Sequence, residues 1–145
     1  MKQFMNLGTN KDRVRVLLDT NILISALGFG SIPRKIFLLA LEKKIQAVTS
    51  PILLAELGEV ISKKFPKLSP QLPAVEKIIK KSFLTVQPKS VINILKDTDD
   101  NRVLEAAIKG NCSFIITGDK ELLELGLFEG IEILAASGFL ERYNS

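Results

Sequence analysis

The sequence predicts a three-layer α/β/α sandwich with a mostly parallel sheet of about five strands. Its short apolar runs, at residues 16–18 and 114–116, have no polar alternation, which is typical of strands buried on both faces of a parallel sheet. Segments with helical spacing of apolar residues separate the predicted strands along the whole chain. Because strands and helices alternate, each strand is expected to connect to a parallel neighbour through a helix.

Local signals predict each element in turn. Thr20 readily starts a helix directly after the first strand, and Ser50 followed by Pro51 suits the beginning of another, while Gly110 ends a later one. The first half is predicted as a strand at 16–18, a helix at 22–27, a loop at 28–33, a helix at 33–41, a strand at 45–49 and a helix at 50–64. The second half is predicted as a proline-rich break at 65–73, a helix at 74–82, a strand at 84–86, a helix at 97–109, a strand at 114–117, a helix at 122–125, a strand at 131–134 and a helix at 136–143.

Composition bounds the class of protein. The chain has 145 residues, 46% of them hydrophobic and 25% charged, as in an ordinary globular protein. We expect residues 1–12 to be a loose lead-in and residues 13–145 to form a single domain. No apolar run approaches the ~20 residues of a membrane helix, and the start lacks the apolar stretch of a signal peptide. The expected location is the cytoplasm, without a membrane partner.

Two absences narrow the chemistry of any catalytic site. The chain has no histidine, which removes histidine general bases and histidine-bound zinc, and its one cysteine, Cys112, removes multi-cysteine zinc sites. It also has no GxxxxGK[ST] phosphate-binding loop. Any site must therefore use carboxylates, hydroxyls, amides, Lys and Arg, and carboxylates without histidine favour Mg²⁺ or Mn²⁺. The net charge of +4 is a mild preference for polyanionic partners.

Two acidic residues in the first half of the chain stand at unusual places. Asp19 ends the first buried strand, where open α/β sheets bind ligands, although a carboxylate there also suits a simple helix cap. In the helix at 50–64, Glu56 falls on the margin of the apolar stripe, whereas Glu59 lies almost opposite its centre. A carboxylate at the border of a buried face needs a reason, so Glu56 is a candidate site residue and Glu59 is not.

The densest acidic stretch opens the helix at 97–109. Asp100 precedes Val103 and Leu104 by three and four residues, so it continues the buried face toward the sheet. Asp99 reaches that face only partly. Acids in a first helical turn are also favoured by the helix dipole, which is the alternative explanation.

Four acids are therefore expected at one rim of the sheet. Asp119 follows the strand at 114–117 and repeats the arrangement of Asp19, while Glu56 and Asp100 occupy helix margins that face the strand ends. Carboxylates crowded together repel one another and raise their pKa values. A bound cation makes such a cluster reasonable at neutral pH.

These segments resemble those of the PIN domain family. The resemblance rests on Leu18-Asp19-Thr20-Asn21, Glu56 in a mid-chain helix, Asp97-Thr98-Asp99-Asp100-Asn101 and Ile116-Thr117-Gly118-Asp119-Lys120, in this order over residues 13–143. The chain is most similar to the bacterial and archaeal branch that includes toxins of toxin–antitoxin pairs. It departs from the family at Thr98, where proline is frequent.

The resemblance implies an activity, its cofactor and its partners. It implies a PIN-like endoribonuclease that depends on one or two Mg²⁺ or Mn²⁺ ions, an RNA substrate, a small antitoxin protein and a homodimer. The residues that match the family's catalytic and metal-binding acids are Asp19, Glu56, Asp100 and Asp119, with Asp99 as the alternative to Asp100. Asn21 and Thr117 match polar positions that support these acids.

A basic surface and two other functions stay open. Exposed lysines on two helices are weak candidates for phosphate contacts, and an ordinary solvated surface is the alternative. They are Lys63, Lys64, Lys77, Lys80 and Lys81. The chain could also be a non-catalytic RNA- or protein-binding module of the same fold. An aspartyl-phosphate phosphatase with Asp19 as nucleophile is the other possibility, although such enzymes usually need a second acid where this chain has Asn21.

Overall fold

A six-stranded sheet runs through the centre of the molecule in the order β3-β2-β1-β4-β6-β5. The computed structural model describes residues 13–145, so the lead-in expected at residues 1–12 lies outside the described part of the chain. The strands are β1 (Arg15–Leu18), β2 (Gln46–Thr49), β3 (Leu84–Thr85), β4 (Phe114–Ile116), β5 (Leu127–Phe128) and β6 (Ile131–Leu134). Neighbouring strands are parallel except β5, which is antiparallel to β6. The sheet is therefore mostly parallel, as the buried apolar runs predicted.

Helices cover both faces of this sheet. They are α1 (Thr20–Gly28), α2 (Ser31–Leu41), α3 (Pro51–Lys64), α4 (Leu72–Ser82), α5 (Thr98–Lys109), α6 (Lys120–Leu125) and α7 (Ala136–Tyr143), with a 3₁₀ segment, Pro66–Gln71, before α4. One apolar core joins one face of the sheet to α1, α2, α3, α4 and α7, and a second core joins the other face to α5 and α6. The predicted three-layer α/β/α sandwich is confirmed.

The central strand β1 shows why the apolar runs are unbroken. Val16 and Leu18 enter the core beneath α1, whereas Leu17 enters the core beneath α5, because successive side chains of a strand point to opposite faces. Ile115 of β4 faces the same way as Leu17. Since helices cover both faces, every residue of such a run is buried.

The connection between α1 and α2 is shorter than the sequence predicts. The helix expected from residue 33 begins at Ser31, so the predicted loop at 28–33 reduces to Phe29 and Gly30. Gly30 has φ of 71°, a conformation that glycine adopts easily. Arg34 then joins the two helices, because its Nε donates to the Ala26 carbonyl (2.9 Å) at the end of α1. The helix begins two residues earlier than the sequence predicts, because Pro33 lies in the first turn, where proline is tolerated, and is not its first residue.

The sequence does not predict the sixth strand, β5. Its two residues pair with β6 through a two-residue turn in which Glu129 and Gly130 have φ of 51° and 82°. Positive φ at both turn positions is the geometry of a type I′ hairpin. Glu-Gly is not among the dipeptides that signal such a turn strongly, and a two-residue strand is too short to show a period.

No single helix within residues 13–145 combines the length and the hydropathy that crossing a membrane requires. The helices α1 and α2 meet both requirements only when taken together, and the chain bends by 104° between them. Both pack into the core described above.

The close approach of α5 to β2 gives a test of the packing. A Cβ atom added at Gly110 would lie 2.7 Å from Val48 Cγ1 and 3.2 Å from the Ala106 carbonyl oxygen. Gly110→Ala should therefore lower the free energy of unfolding by about 1–3 kcal/mol. Gly138→Ala is the control, since nothing lies within 4 Å of the added atom in α7 and the helix should gain about 0.5–1 kcal/mol. Urea unfolding measures both, and equal midpoints for the two variants would contradict the packing.

Candidate active site

Asp19 lies at the junction of the two central strands. Its backbone N–H donates to the Ile116 carbonyl (3.0 Å), which extends the parallel pairing of β1 with β4. The side chain is 6% exposed, and its oxygens accept hydrogen bonds from Thr20 N (2.7 Å), Thr117 Oγ1 (2.6 Å) and Asn21 Nδ2 (3.3 Å). Burial raises the pKa of Asp19, and the bonds from Thr117 and Thr20 lower it in part. Asp19 does cap α1, but it is also a buried carboxyl group with more donors than a cap needs.

Thr117 connects Asp19 with Asp119. Its buried hydroxyl donates to Asp19 Oδ2 and accepts from the Asp119 N–H (2.9 Å). Oδ2 of Asp119 accepts from Leu122 N (3.0 Å) and so caps α6. The polar residues that the resemblance implied as supports, Thr117 and Asn21, both contact Asp19 directly.

Asp100 lies on the buried side of the first turn of α5, as its helical spacing predicted. It is 6% exposed, and its Oδ2 is buried without a hydrogen-bond donor. Burial raises the pKa of Asp100 to about 8, assisted by the Asp119 carboxyl within hydrogen-bond reach and by the charges of Asp97 and Asp19. An ionised carboxylate here lacks the donors or the positive charge that would stabilise it.

Glu56 reaches the same rim from α3. The buried Thr20 donates its hydroxyl to Glu56 Oε1 (2.9 Å), while the N–H of Thr20 donates to Asp19. Burial raises the pKa of Glu56 to about 7; the nearby Asp99 carboxyl adds to this effect and the Thr20 bond opposes it. Glu59 is exposed and lies 3.6 Å from a lysine of the next turn. The two glutamates of α3 therefore have the different environments that the apolar stripe predicted.

The acids form two close pairs beside Asp19. Asp100 lies within hydrogen-bond reach of Asp119, and Glu56 lies within reach of Asp99. The charge of Asp19 raises the pKa of both Asp100 and Glu56. Within residues 13–145, however, no three acidic or cysteine side chains are placed to hold one metal ion together. The sequence expectation of one four-acid cluster is therefore not met in these residues: Asp100 pairs with Asp119, whereas Glu56 pairs with Asp99.

A divalent cation fits this arrangement with two carboxylates at a time. Mg²⁺ is usually held by one or two carboxylates, and water and substrate phosphates complete its octahedron. The Oδ2 atom of Asp100 is a buried oxygen without a partner, beside the carboxyl of Asp119. Because oxygen ligands of this kind also suit Mn²⁺, the residues present fit either ion.

Two residues of the rim were missed in the sequence. Thr20 was interpreted only as the start of a helix, because its partner Glu56 is 36 residues away and meets it through the packing of α1 on α3. Asp97 caps α5 by accepting from Asp99 N (2.8 Å), and its charge raises the pKa of Asp19 and Asp100. Its position before the helix was the available signal.

The segment that leads into α5 is fixed by side chains. Asn101 accepts from the N–H groups of residues 94 and 95, Glu105 from that of residue 92, and Glu121 from those of residues 96 and 97, at 2.8–3.3 Å. Arg102 donates to the carbonyl of residue 92 (2.9 Å). Asn101 and Glu105 are buried, so this is a rigid approach to the turn that carries Asp99 and Asp100.

The five candidate lysines are all exposed positions of α3 and α4. Lys63 lies 3.6 Å from Glu59, while Lys64 and Lys80 line separate depressions of the surface.

The raised pKa values predict an unusual pH dependence for the metal-free protein. Asp100 and Glu56 have folded-state pKa values of about 8 and about 7, above the ordinary values of 3.8 and 4.5. Between about pH 5 and pH 8 the folded state therefore holds more protons than the unfolded state, so stability should fall as pH rises. Asp100→Asn should reduce this fall of stability with pH, and its melting temperature should be higher than that of the wild type at pH 8. For a domain of this size, each 1 kcal/mol of unfolding free energy corresponds to roughly 3 °C in melting temperature.

Thermal melts in chelator across this pH range measure the effect. Glu59→Gln is the control and should keep the wild-type slope, because Glu59 is exposed. A wild-type melting temperature that rises steadily to pH 8, with no difference for Asp100→Asn, would contradict the burial argument.

Comparisons with known proteins agree with this architecture. The family model described as "PIN domain" matches residues 15–121. The uncharacterised protein MJ1680 of Methanocaldococcus jannaschii is 37% identical over 123 residues, which cover 79% of this chain and 77% of that protein.

Two solved structures share the fold. VapBC2 from Rickettsia felis, bound to a DNA fragment from its promoter, has a TM-score of 0.57 at 18% identity and covers 83% of this chain and 97% of its own. PAE2754 from Pyrobaculum aerophilum has a TM-score of 0.56 at 17% identity and covers 90% of each chain. The match over most of the sheet and the identity to the archaeal relative together show that the chain belongs to the PIN domain family.

Proposed function

We propose that the chain is a nuclease that cleaves RNA with Mg²⁺ or Mn²⁺, and that residues 13–145 are its single catalytic domain. Its catalytic and metal-binding acids in this proposal are Asp19, Glu56, Asp100 and Asp119. PIN domain proteins are generally nucleases, which supports hydrolysis of phosphodiester bonds. The observation that carries the proposal is Asp100, whose buried oxygen has no donor and lies beside a second carboxylate. Carboxyl groups whose charged forms have no compensating partner favour a cation, and a cation held there can in turn bind a phosphate.

Each acid has surroundings that suit a separate task. Asp19 is held by three donors, so it presents a carboxyl group of fixed orientation next to the Asp100–Asp119 pair. A divalent ion held by Asp100 and Asp119 would supply positive charge for the scissile phosphate and would lower the pKa of a water molecule. Asp119 keeps Oδ2 on the N-terminus of α6, which fixes the direction of its other oxygen.

Glu56 has a different environment and, we infer, a different task. Its Oε1 accepts from Thr20, which leaves Oε2 as the atom that can take a proton from the attacking water. With a pKa of about 7, this carboxyl can both accept and release a proton near neutral pH. Thr20 is then a positioning residue, because it links the orientation of Glu56 to Asp19.

The proposal includes partners that the resemblance suggested. We propose that the protein is the toxin of a toxin–antitoxin pair and forms a homodimer, and that exposed lysines on α3 and α4 contact the RNA backbone. The shared fold with VapBC2 supports this assignment to the toxin branch. Co-purification with the product of a neighbouring small gene, followed by light scattering, measures both associations.

Two alternatives are separated by one assay. A phosphatase would need an accessible carboxylate nucleophile, yet Asp19 is 6% exposed and both of its oxygens already accept hydrogen bonds. A non-catalytic binding module would retain RNA without cutting it. Incubation with RNA and with a small phosphate ester, each at several Mn²⁺ concentrations, distinguishes cleavage, phosphate release and neither.

The first test of the proposal compares the two glutamates of α3. Cleavage of RNA should require Mg²⁺ or Mn²⁺, and chelation should abolish it. Glu56→Gln should lower the cleavage rate by about 100-fold or more, because it removes a group of the reacting site. Glu59→Gln should stay within about twofold of the wild type, as expected for a surface substitution away from the site. Equal rates for the two variants would show that Glu56 has no special role.

The second test separates the adjacent aspartates of α5. Asp100→Asn should lower the rate by about 100-fold, because Asp100 is the buried partner of Asp119. Asp99→Asn should cost about tenfold at most, because Asp99 is exposed and reaches the site through Glu56. Single-turnover cleavage with Mn²⁺ gives both rates. If Asp99→Asn is the more damaging substitution, Asp99 and not Asp100 is the third catalytic acid.

A further inference from the structure

A cavity of about 270 Å³ opens between the start of α3 and the segment that leads into α5. Its walls include Ser50 and Ile52 from the start of α3, Gln87 and Val91 from that segment, and Arg102 from α5. None of these residues belongs to the acidic pairs. Pockets that bind drug-sized molecules have volumes of at least roughly 300 Å³, so this cavity suits a smaller planar group.

The cavity adjoins the acidic rim. Ile52 lies four residues before Glu56 on α3, and Arg102 lies three residues after Asp99 on α5, so each shares a helix face with an acid of the rim. The carboxyls of Glu56 and Asp99 are themselves neighbours. Two lining residues of the cavity, Ile52 and Arg102, therefore lie about one helical turn, roughly 5.4 Å along the helix axis, from Glu56 and Asp99.

The lining holds three charged residues, Lys89, Arg102 and Glu105, and its formal net charge is +1. Arg102 donates to Glu105 at 2.9 Å, and both side chains line the cavity, so their charges compensate each other. Ile52 and Val91 are 56% and 75% exposed, so residues 13–145 leave much of both apolar side chains uncovered. Two neutral polar residues also line the cavity: the exposed Gln87, and Ser50, which is buried and whose hydroxyl oxygen accepts from the Leu53 N–H at 3.3 Å. Apolar faces with a few neutral polar groups suit a nucleobase better than a free phosphate.

The segment that forms the wall opposite α3 is held by side chains at one end. Residues 87–97 have no regular secondary structure, yet Asn101, Arg102, Glu105 and Glu121 hydrogen-bond the backbone of residues 92 and 94–97. These residues directly follow the lining residues 87–91. Anchoring the chain next to the wall reduces the entropy lost when a ligand orders it.

We propose that this cavity binds the base of a nucleotide next to the cleaved bond and so sets the sequence preference of the nuclease. The base lies between Ile52 and Val91, and Gln87 and Ser50 contact its edge. Lys89, an exposed residue of the same lining, is placed to contact the adjoining phosphate. This inference rests on the proposed RNA cleavage at the neighbouring acids.

The test uses the full chain, Mn²⁺ and a set of short RNA oligonucleotides. They differ only at the nucleotide beside the cleaved bond, which carries one of the four bases or no base. Removing that base should lower kcat/KM by roughly tenfold, the loss expected for one stacked base. Ile52→Ala should reproduce the loss on intact RNA and show no further loss on the abasic RNA. Gln87→Ala should reduce the preference among the four bases by roughly fivefold. Ile94→Ala is the matched control. Ile94 is 56% exposed, like Ile52, and lies on the segment that carries Gln87, but it does not line the cavity.

A second measurement does not depend on cleavage. Nucleosides added to the protein should shift the backbone amide NMR signals of Ser50, Gln87 and Val91, and Ile52→Ala should weaken these shifts. If metal-dependent cleavage proceeds at the same rate with every base and in Ile52→Ala, the base site is wrong and the proposed nuclease activity is retained. Nucleoside shifts at the cavity without cleavage of any RNA would support the base site and reject the proposed function. Shifts caused by inorganic phosphate and not by nucleosides would overturn the base site.

Discussion

The register between β1 and β4 is the constraint on which the acidic rim depends. Leu18 pairs with Ile116, so the next residue of each strand, Asp19 and Thr117, emerges at the same edge and the two join by a 2.6 Å hydrogen bond. A slip by one residue would reverse every side chain of the strand between the two cores. Because both cores are packed, that slip is strongly disfavoured. The same register that buries the sheet therefore fixes the distance between the strand-end residues.

The acidic rim lowers the stability of the fold through unfavourable electrostatics, and this effect differs from one acid to the next. Asp19 is buried but has three donors, whereas Asp100 is equally buried and has an oxygen with none. Burial without donors disfavours the charged form, which is why the pKa of Asp100 rises to about 8. Like charges held together by a rigid scaffold lower stability unless a cation joins them. Functional sites commonly lower the stability of the fold in this way, because the groups that the activity needs are not those that stabilise the folded state best.

The sequence predicted the layers and the strand-end acids because their causes are local. Unbroken apolar runs report strands covered on both faces, and helical spacing placed Asp100 inside and Glu59 outside. The contact of Thr20 with Glu56 and the bond from Arg34 to α1 depend on the packing of separate helices, so no local pattern reports them. The pairing of the acids is also a tertiary property that no local pattern reports. Asp99 and Asp100 are adjacent on α5 and point in different directions, so Asp99 meets Glu56 and Asp100 meets Asp119.

The helix α5 links the acidic rim to the cavity beside it. Its first turn carries the acids, and its second turn carries Asn101, Arg102 and Glu105, which bind the backbone of residues 92–95. A displacement of α5 would therefore move Asp100 and the cavity wall together. Since buried polar groups of this kind are costly to leave unpaired, the second turn resists such a displacement. The spacing between the acids and the cavity is thus held by one helix, as recognition of a base at a fixed distance from a cleaved bond requires.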